Sequence, residues 1–193
     1  PKDSDSCTLG LRVEDRLGGP KRLHFTETEV VQIVRRSVVR IIGGEGEGSG
    51  FAVRRGGYIL TNFHVIEFEP CPKVLFPDGT FETASVVMAD KDTDLAVVKV
   101  DRELPIVPLA RLGDLDPAEE LLAIGYALGG DLPGESFLSR GVFSAIRRSR
   151  DGSLKYVETD ITMVNGMSGG PMVNMCGEAV GINKGGLVLG GLG

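Results

Sequence analysis

From Ser37 onward the apolar residues fall in short β-branched runs, broken every few positions by glycine, proline or aspartate. Val38 to Ile42, Gly50 to Val53, Tyr58 to Leu60, Lys73 to Phe76, Ala84 to Met88 and Leu95 to Val100 predict strands. A proline- and acid-rich stretch around Pro105 to Glu120 interrupts the series. Leu121 to Ile124, Phe137 to Ile146, Tyr156 to Thr159, Met172 to Val173 and Val180 to Asn183 then predict a second set. Two successive sets of short strands predict an all-β chain of two antiparallel barrels. One segment has a helical period: Val30, Val31, Ile33 and Val34 recur behind Thr26 and Glu29, which form a capping box, so a short helix is predicted from about Glu27 to Arg36. Residues 1–26 are polar and irregular, with Gly18-Gly19-Pro20 breaking any pattern, and are expected to form an N-terminal arm. The remainder, 27–193, is expected to be one domain, with a first barrel over about 37–104 and a second over about 118–193.

Composition narrows the function more than the fold. The chain has 193 residues, 41% hydrophobic and 25% charged, which points to one compact body rather than disorder or a fibrous repeat. Its 28 glycines exceed ordinary usage and suit tight turns between short strands. A net charge of -6 gives no basic footprint for phosphates, which argues against a nucleic-acid partner. The short clusters Arg35-Arg36 and Arg147-Arg148-Ser149-Arg150 are expected to be a solvated helix end and loop. Cys7, Cys71 and Cys176 are odd in number and lack a CxxC spacing, so they predict free thiols, neither a disulfide framework nor a zinc site. No metal or other cofactor is expected. No apolar run approaches the roughly 18 residues of a membrane span. The chain starts at Pro1, so a targeting segment could have been removed, and composition assigns no compartment.

Candidate chemistry comes from two glycine-flanked stretches. Gly43-Gly44-Glu45-Gly46-Glu47-Gly48-Ser49-Gly50 lacks the Lys-Ser or Lys-Thr pair of a phosphate loop, and its glutamates would repel phosphate, so a flexible inter-strand loop is expected. Gly166-Met167-Ser168-Gly169-Gly170 suits a sharp turn that exposes a hydroxyl and aims amides inward; by composition it also fits an α/β-hydrolase elbow or a plain glycine turn. Chain order separates these. The α/β-hydrolases place histidine after serine, whereas here His24 and His64 both precede Ser168. A β-rich chain in the order His, Asp, Ser fits the chymotrypsin arrangement. His64 ends the apolar run Tyr58 to Leu60 and begins a turn, while His24 lies in the arm and is expected at the surface. Asp90, Asp92 and Asp94 compete for the acid. Asp94 directly precedes Leu95-Ala96-Val97-Val98, where the chain enters the core, and a partly buried carboxylate there can fix an imidazole tautomer.

Thr61-Asn62-Phe63-His64-Val65, Asp94-Leu95-Ala96-Val97-Val98-Lys99 and Asn165-Gly166-Met167-Ser168-Gly169-Gly170-Pro171 together resemble the HtrA/Deg family of serine proteases. The likeness extends to Gly48-Ser49-Gly50-Phe51, Thr159-Asp160 and Gly177 to Asn183, and covers roughly residues 28 to 185. It implies two perpendicular six-stranded barrels with the site between them, protein or peptide substrates, often a homotrimer, and a place in the cell envelope or periplasm. Met167 stands where the family has asparagine, and no peptide-binding PDZ module is seen within the chain.

The resemblance implies His64, Asp94 and Ser168 as triad, and the backbone amides of Gly166 and Ser168 as oxyanion hole. It places the floor of the specificity pocket at Ile161, Thr162 and Met163, where the absence of a carboxylate predicts small or medium aliphatic side chains before the cleaved bond. Substrate backbone is expected to pair near Ile182, Asn183 and Lys184. Gly125, Gly129, Gly130, Gly134 and the glycines of 185–193 fall where the family has regulatory loops. The expected function is a serine endopeptidase acting on unfolded or extended chains in protein quality control; the alternatives are a peptide-binding or chaperone module on the same fold, and a protease of narrow, signalling type.

Overall fold

A computed structural model of the chain describes residues 25–44, 46–111, 115–127, 136–152 and 154–185. Among them are two short helices and twelve strands in two antiparallel sheets. The expected arm, with His24 and Cys7, lies almost wholly outside the described residues, as do Gly129, Gly130, Gly134 and residues 186–193.

Helix α1 (Glu27–Val34) starts at the capping box: the Thr26 amide donates to Glu29 Oε2 at 2.7 Å, and the Glu29 amide donates to Thr26 Oγ1 at 3.3 Å. It buries Val30 and Val34, one turn apart on a single face, and Arg35–Ser37 tightens into a 3₁₀ turn that ends it. Strands β1 (Val38–Ile42), β2 (Glu47–Arg54), β3 (Tyr58–Asn62), β4 (Lys73–Leu75), β5 (Phe81–Thr83), β6 (Ser85–Asp90) and β7 (Leu95–Lys99) form the first sheet, in the order β5-β4-β1-β2-β3-β7-β6. β5 and β6 are two halves of one extended run, parted at Ala84. One half pairs β4 and the other pairs β7, so the sheet rolls into a barrel. The six predicted strands correspond to β1, β2, β3, β4, β6 and β7, and β5 lies outside every predicted run.

The second sheet holds β8 (Glu120–Gly125), β9 (Phe137–Arg148), β10 (Lys155–Thr159), β11 (Pro171–Asn174) and β12 (Ala179–Ile182), in the order β10-β9-β8-β11-β12. Among the described residues it has five strands where six were expected. Gly125 ends β8 and is not a loop residue.

Side-chain alternation explains why both faces of several strands are apolar. In β1, Val39 and Ile41 point into the first barrel, and in β8, Leu121 and Ala123 point into the second. Their neighbours Val38, Leu122 and Ile124 meet Phe51, Val173, Val30 and Val34 in a third core, between the barrels. Burying a valine, isoleucine or leucine contributes roughly 1.5–3 kcal/mol. The third core thus welds two half-structures, and the α1 face, into one body.

The cysteines correct an expectation. Cys71 is free and exposed, but Cys176, buried at the β11–β12 turn, is disulfide-bonded. Spacing in sequence carries no record of such a pairing. No helix among the described residues is long and apolar enough to cross a membrane.

Candidate active site

His64 lies on α2 (Phe63–Ile66), a single turn that continues directly from β3. β3 pairs with β7 in a register that sets Asn62 opposite Leu95, so the residue before Leu95 meets the residues after Asn62. That residue is Asp94. Its backbone has φ 56°, a left-handed conformation that aspartate tolerates better than most side chains. Tertiary contacts hold it there. Its carbonyl accepts from the Phe63 amide at 3.1 Å and from Asn62 Nδ2 at 3.0 Å, and its Oδ1 accepts from the His64 amide at 3.0 Å. The His64 ring closes the arrangement, with Nδ1 2.9 Å from Asp94 Oδ2 and 3.0 Å from Oδ1. Asp90 and Asp92 stay in the turn, where Asp90 accepts from the amides of Asp92 and Thr93.

Burial would push the Asp94 carboxyl up; the His64 amide, the Lys184 ammonium and the His64 ring outweigh it and hold the group below the usual carboxylate range. Lys184 was expected only as a backbone contact for substrate. Its Nζ lies 3.0 Å from Asp94 Oδ2.

Ser168 sits in a turn made possible by glycines. Gly166 and Gly169 have φ 93° and 86°, and a Cβ on Gly169 would collide with the Ser49 carbonyl. The next residue after Lys184, Gly185, donates its amide to Ser168 Oγ at 2.8 Å. Consecutive residues therefore touch the candidate acid and the candidate nucleophile, which brings Asp94 and Ser168 into one cleft. Gly48 narrows the same cleft from β2: a Cβ there would lie 2.6 Å from Val65, beside His64, and 2.9 Å from the Ser168 carbonyl. His64 and Ser168 share no hydrogen bond in this arrangement, as is common before substrate tightens such a site.

In the same turn the amides of Met167, Gly169 and Gly170 donate to the carbonyls of Val164, Asn183 and Met167. Among the described residues the amides of Gly166 and Ser168 have no acceptor. Met167 is fully buried among Leu121, Ala123, Phe143, Met172 and Val180 in the second core, so an apolar anchor holds the turn where the resembling family has a polar one.

Sequence reasoning missed the hub that holds this turn. Ser49 was named in the glycine run expected to be a loop and in the Gly48–Phe51 likeness, yet its amide donates to the Ser168 carbonyl at 2.7 Å and its hydroxyl to the Gly166 carbonyl at 2.8 Å. The same hydroxyl accepts from the Tyr126 amide at 2.8 Å, and the Ser49 carbonyl accepts from Thr61 Oγ1 at 2.7 Å. The signal was present: a small polar residue between two glycines within a strand marks a close approach of backbones. Half of the glycine run expected to be a loop, Glu47 to Gly50, is accordingly the start of β2.

The expected substrate residues divide. Ile161 turns inward to the second core, Thr162 is exposed, and Met163 is half-buried against that core. Asn183 is buried, and both its backbone groups are used, its amide donating to Gly170 and its carbonyl accepting from Gly169. Strand alternation then aims the backbone groups of Ile182 and Lys184 away from β11.

A family model described as a trypsin-like peptidase domain matches residues 48–182. The chain is 38% identical over 146 residues to a putative serine protease, HhoB, of Synechocystis, covering 72% of this chain and 34% of that protein. It is 40% identical over 140 residues to a probable periplasmic serine endoprotease, DegP-like, of Halomonas elongata, covering 71% of this chain and 29% of that one. The chain thus spans about a third of the length of these relatives. Among solved structures, the HtrA-type protease AlgW with tripeptide superposes with a TM-score of 0.74 at 30% identity, over 82% of this chain and 54% of the other.

Proposed function

The chain belongs to the HtrA family of trypsin-like serine proteases, and from that premise we propose that it hydrolyses peptide bonds with Ser168 as nucleophile, His64 as base and Asp94 as the acid that orients it. The observation that carries this is the His64 Nδ1 to Asp94 carboxylate contact at 2.9 Å, on a cleft whose other wall presents Ser168. Asp94 fixes the tautomer that leaves Nε2 without a proton, free to take one from the Ser168 hydroxyl. The hydroxyl oxygen attacks the substrate carbonyl, and the oxyanion forms against the Gly166 and Ser168 amides. The imidazolium then returns its proton to the leaving amine, and water releases the acyl group by the same steps.

Substrate would lie extended, paired with the outward backbone groups of Ile182 and Lys184; Asn183 supports that edge from behind. Thr162 and Met163 line the side-chain pocket, with Ile161 as its packed base and no carboxylate among them, which favours small or medium aliphatic side chains. Backbone pairing gives loose sequence preference, in keeping with unfolded chains as substrates and a quality-control role. The contact of Gly185 with Ser168 favours a second reading, a peptide-binding module without turnover.

Covalent labelling by a fluorophosphonate separates the two. Labelling that disappears in Ser168→Ala and His64→Ala, with peptide hydrolysis falling by about 10⁶ in Ser168→Ala, supports the protease. Peptide binding without labelling of the wild-type chain supports the module.

A further inference from the structure

Asp94 has more partners than the proposed triad needs. The oxygen that receives His64 Nδ1 at 2.9 Å also receives Lys184 Nζ at 3.0 Å. The carboxylate is largely buried, its side chain 12% exposed, whereas the Lys184 side chain is 61% exposed and reaches in across the cleft from the end of β12. We infer that Lys184 is a positioning residue of the catalytic site, sharing Asp94 with His64 and so weakening the grip of the imidazole on its proton. The inference rests on the serine protease reading given above.

The surroundings leave this effect to Lys184. In the turn before Asp94, Asp90 is occupied with the Asp92 and Thr93 amides, Asp92 is exposed, and Lys91 pairs with Glu67 at 2.7 Å, its Nζ 5.9 Å from the Phe63 ring. The Ser168 turn, residues 164–171, contains no charged side chain. Among the described residues Lys184 is the one cation besides an imidazolium that contacts Asp94. A carboxylate divided between two cations stabilises each less, and the ammonium repels the charged ring directly. Lys184 therefore competes with the ring for the carboxylate that orients it, and its loss is to be read in how labelling depends on pH.

The test measures the rate of fluorophosphonate labelling against pH for the wild-type chain, Lys184→Met and Lys184→Arg. The probe is small, so pairing of substrate along β12 does not enter the result. The half-maximal pH is expected to rise in Lys184→Met, which removes a positive charge from the carboxylate that the ring shares, and to stay in place in Lys184→Arg. An unmoved profile in Lys184→Met, or an equal shift in both variants, overturns the inference, since a role in strand packing alone lowers the rate at every pH. If Lys184→Met melts early, Lys184→Gln takes its place, and the same rise is required of it. Undiminished labelling of Ser168→Ala would instead remove the protease reading. Loss of labelling in that variant beside an unmoved Lys184→Met profile removes only the role of Lys184.

Discussion

The two walls of the cleft are built by different physics. On the first barrel, His64 and Asp94 are positioned by hydrogen bonds within one β3–α2–β7 corner, close in space and fixed by strand register. On the second, the Ser168 turn depends on glycines at positive φ, a buried Met167, and Ser49 reaching over from the other barrel. A change in the first wall should therefore alter chemistry and spare the fold. A change in the second should unsettle packing and chemistry together, because the turn is shaped by contacts between the barrels.

Asp94→Asn tests the first wall most sharply. Asparagine tolerates the left-handed backbone and keeps an oxygen for the His64 amide, so the corner stays folded. Its amide favours the wrong imidazole tautomer, and the labelling rate is expected to fall by about 10⁴. Stability has a pH signature of its own. The folded Asp94 carboxyl is held below its ordinary value, so as pH falls the unfolded chain takes up the proton first. Its contribution is complete above about pH 4 and is lost as pH drops further through the lowered folded value. The gap in melting temperature between wild type and Asp94→Asn should close as pH falls below about 5. A gap that stays open down to about pH 2 would contradict the assignment.

The same contrast governs what was legible beforehand. Strands were readable because each core face repeats every second residue, and β1 begins and ends where the Val38 to Ile42 run does. Asp94 was readable because it borders the β7 run, and the register of β3 on β7 then brought it to His64. The hub role of Ser49 was hidden because a hydroxyl joining two barrels leaves no period and no spacing in the chain. Lys184 was marked for its backbone, but a lysine near a strand end reads as solvated, and only the fold shows Asp94 within its reach. β5 was equally invisible, since three residues are too short a run to show an alternation.

Met167→Asn probes the second wall by restoring the residue of the resembling family. The site is apolar on every side given by Leu121, Ala123, Phe143, Met172 and Val180. An amide there loses methionine packing and gains no partner from those side chains, a cost of about 2–4 kcal/mol. The expected outcome is a melting temperature lower by about 4–16 °C, with slower labelling per folded molecule. An unchanged melting temperature would mean that the pocket supplies a polar partner and that the turn is not held by apolar packing.

Ser49→Ala is the smallest change and the cleanest probe of coupling between the walls. It removes one donor to the Gly166 carbonyl and one acceptor for the Tyr126 amide, and leaves both backbone groups short of a partner. The cost is about 1–3 kcal/mol, without any large cavity. The Ser49 amide still donates to the Ser168 carbonyl, so the turn stays docked, while the Gly166–Met167 peptide loses its hold at the carbonyl end and keeps only the Met167 amide bond to Val164. The adjoining peptide carries the Gly166 amide, one of the two proposed oxyanion donors, and Gly166 itself is the flexible joint between them, so labelling should slow by about tenfold to a hundredfold, less than complete loss of a donor at 10² to 10³. The pH at half-maximal labelling should stay where it is in the wild type, since His64 and Asp94 are untouched. A shifted pH profile in Ser49→Ala would show that the two walls are not independent, and would place the coupling in the Thr61 to Ser49 hydrogen bond that joins β3 to β2 beside the site.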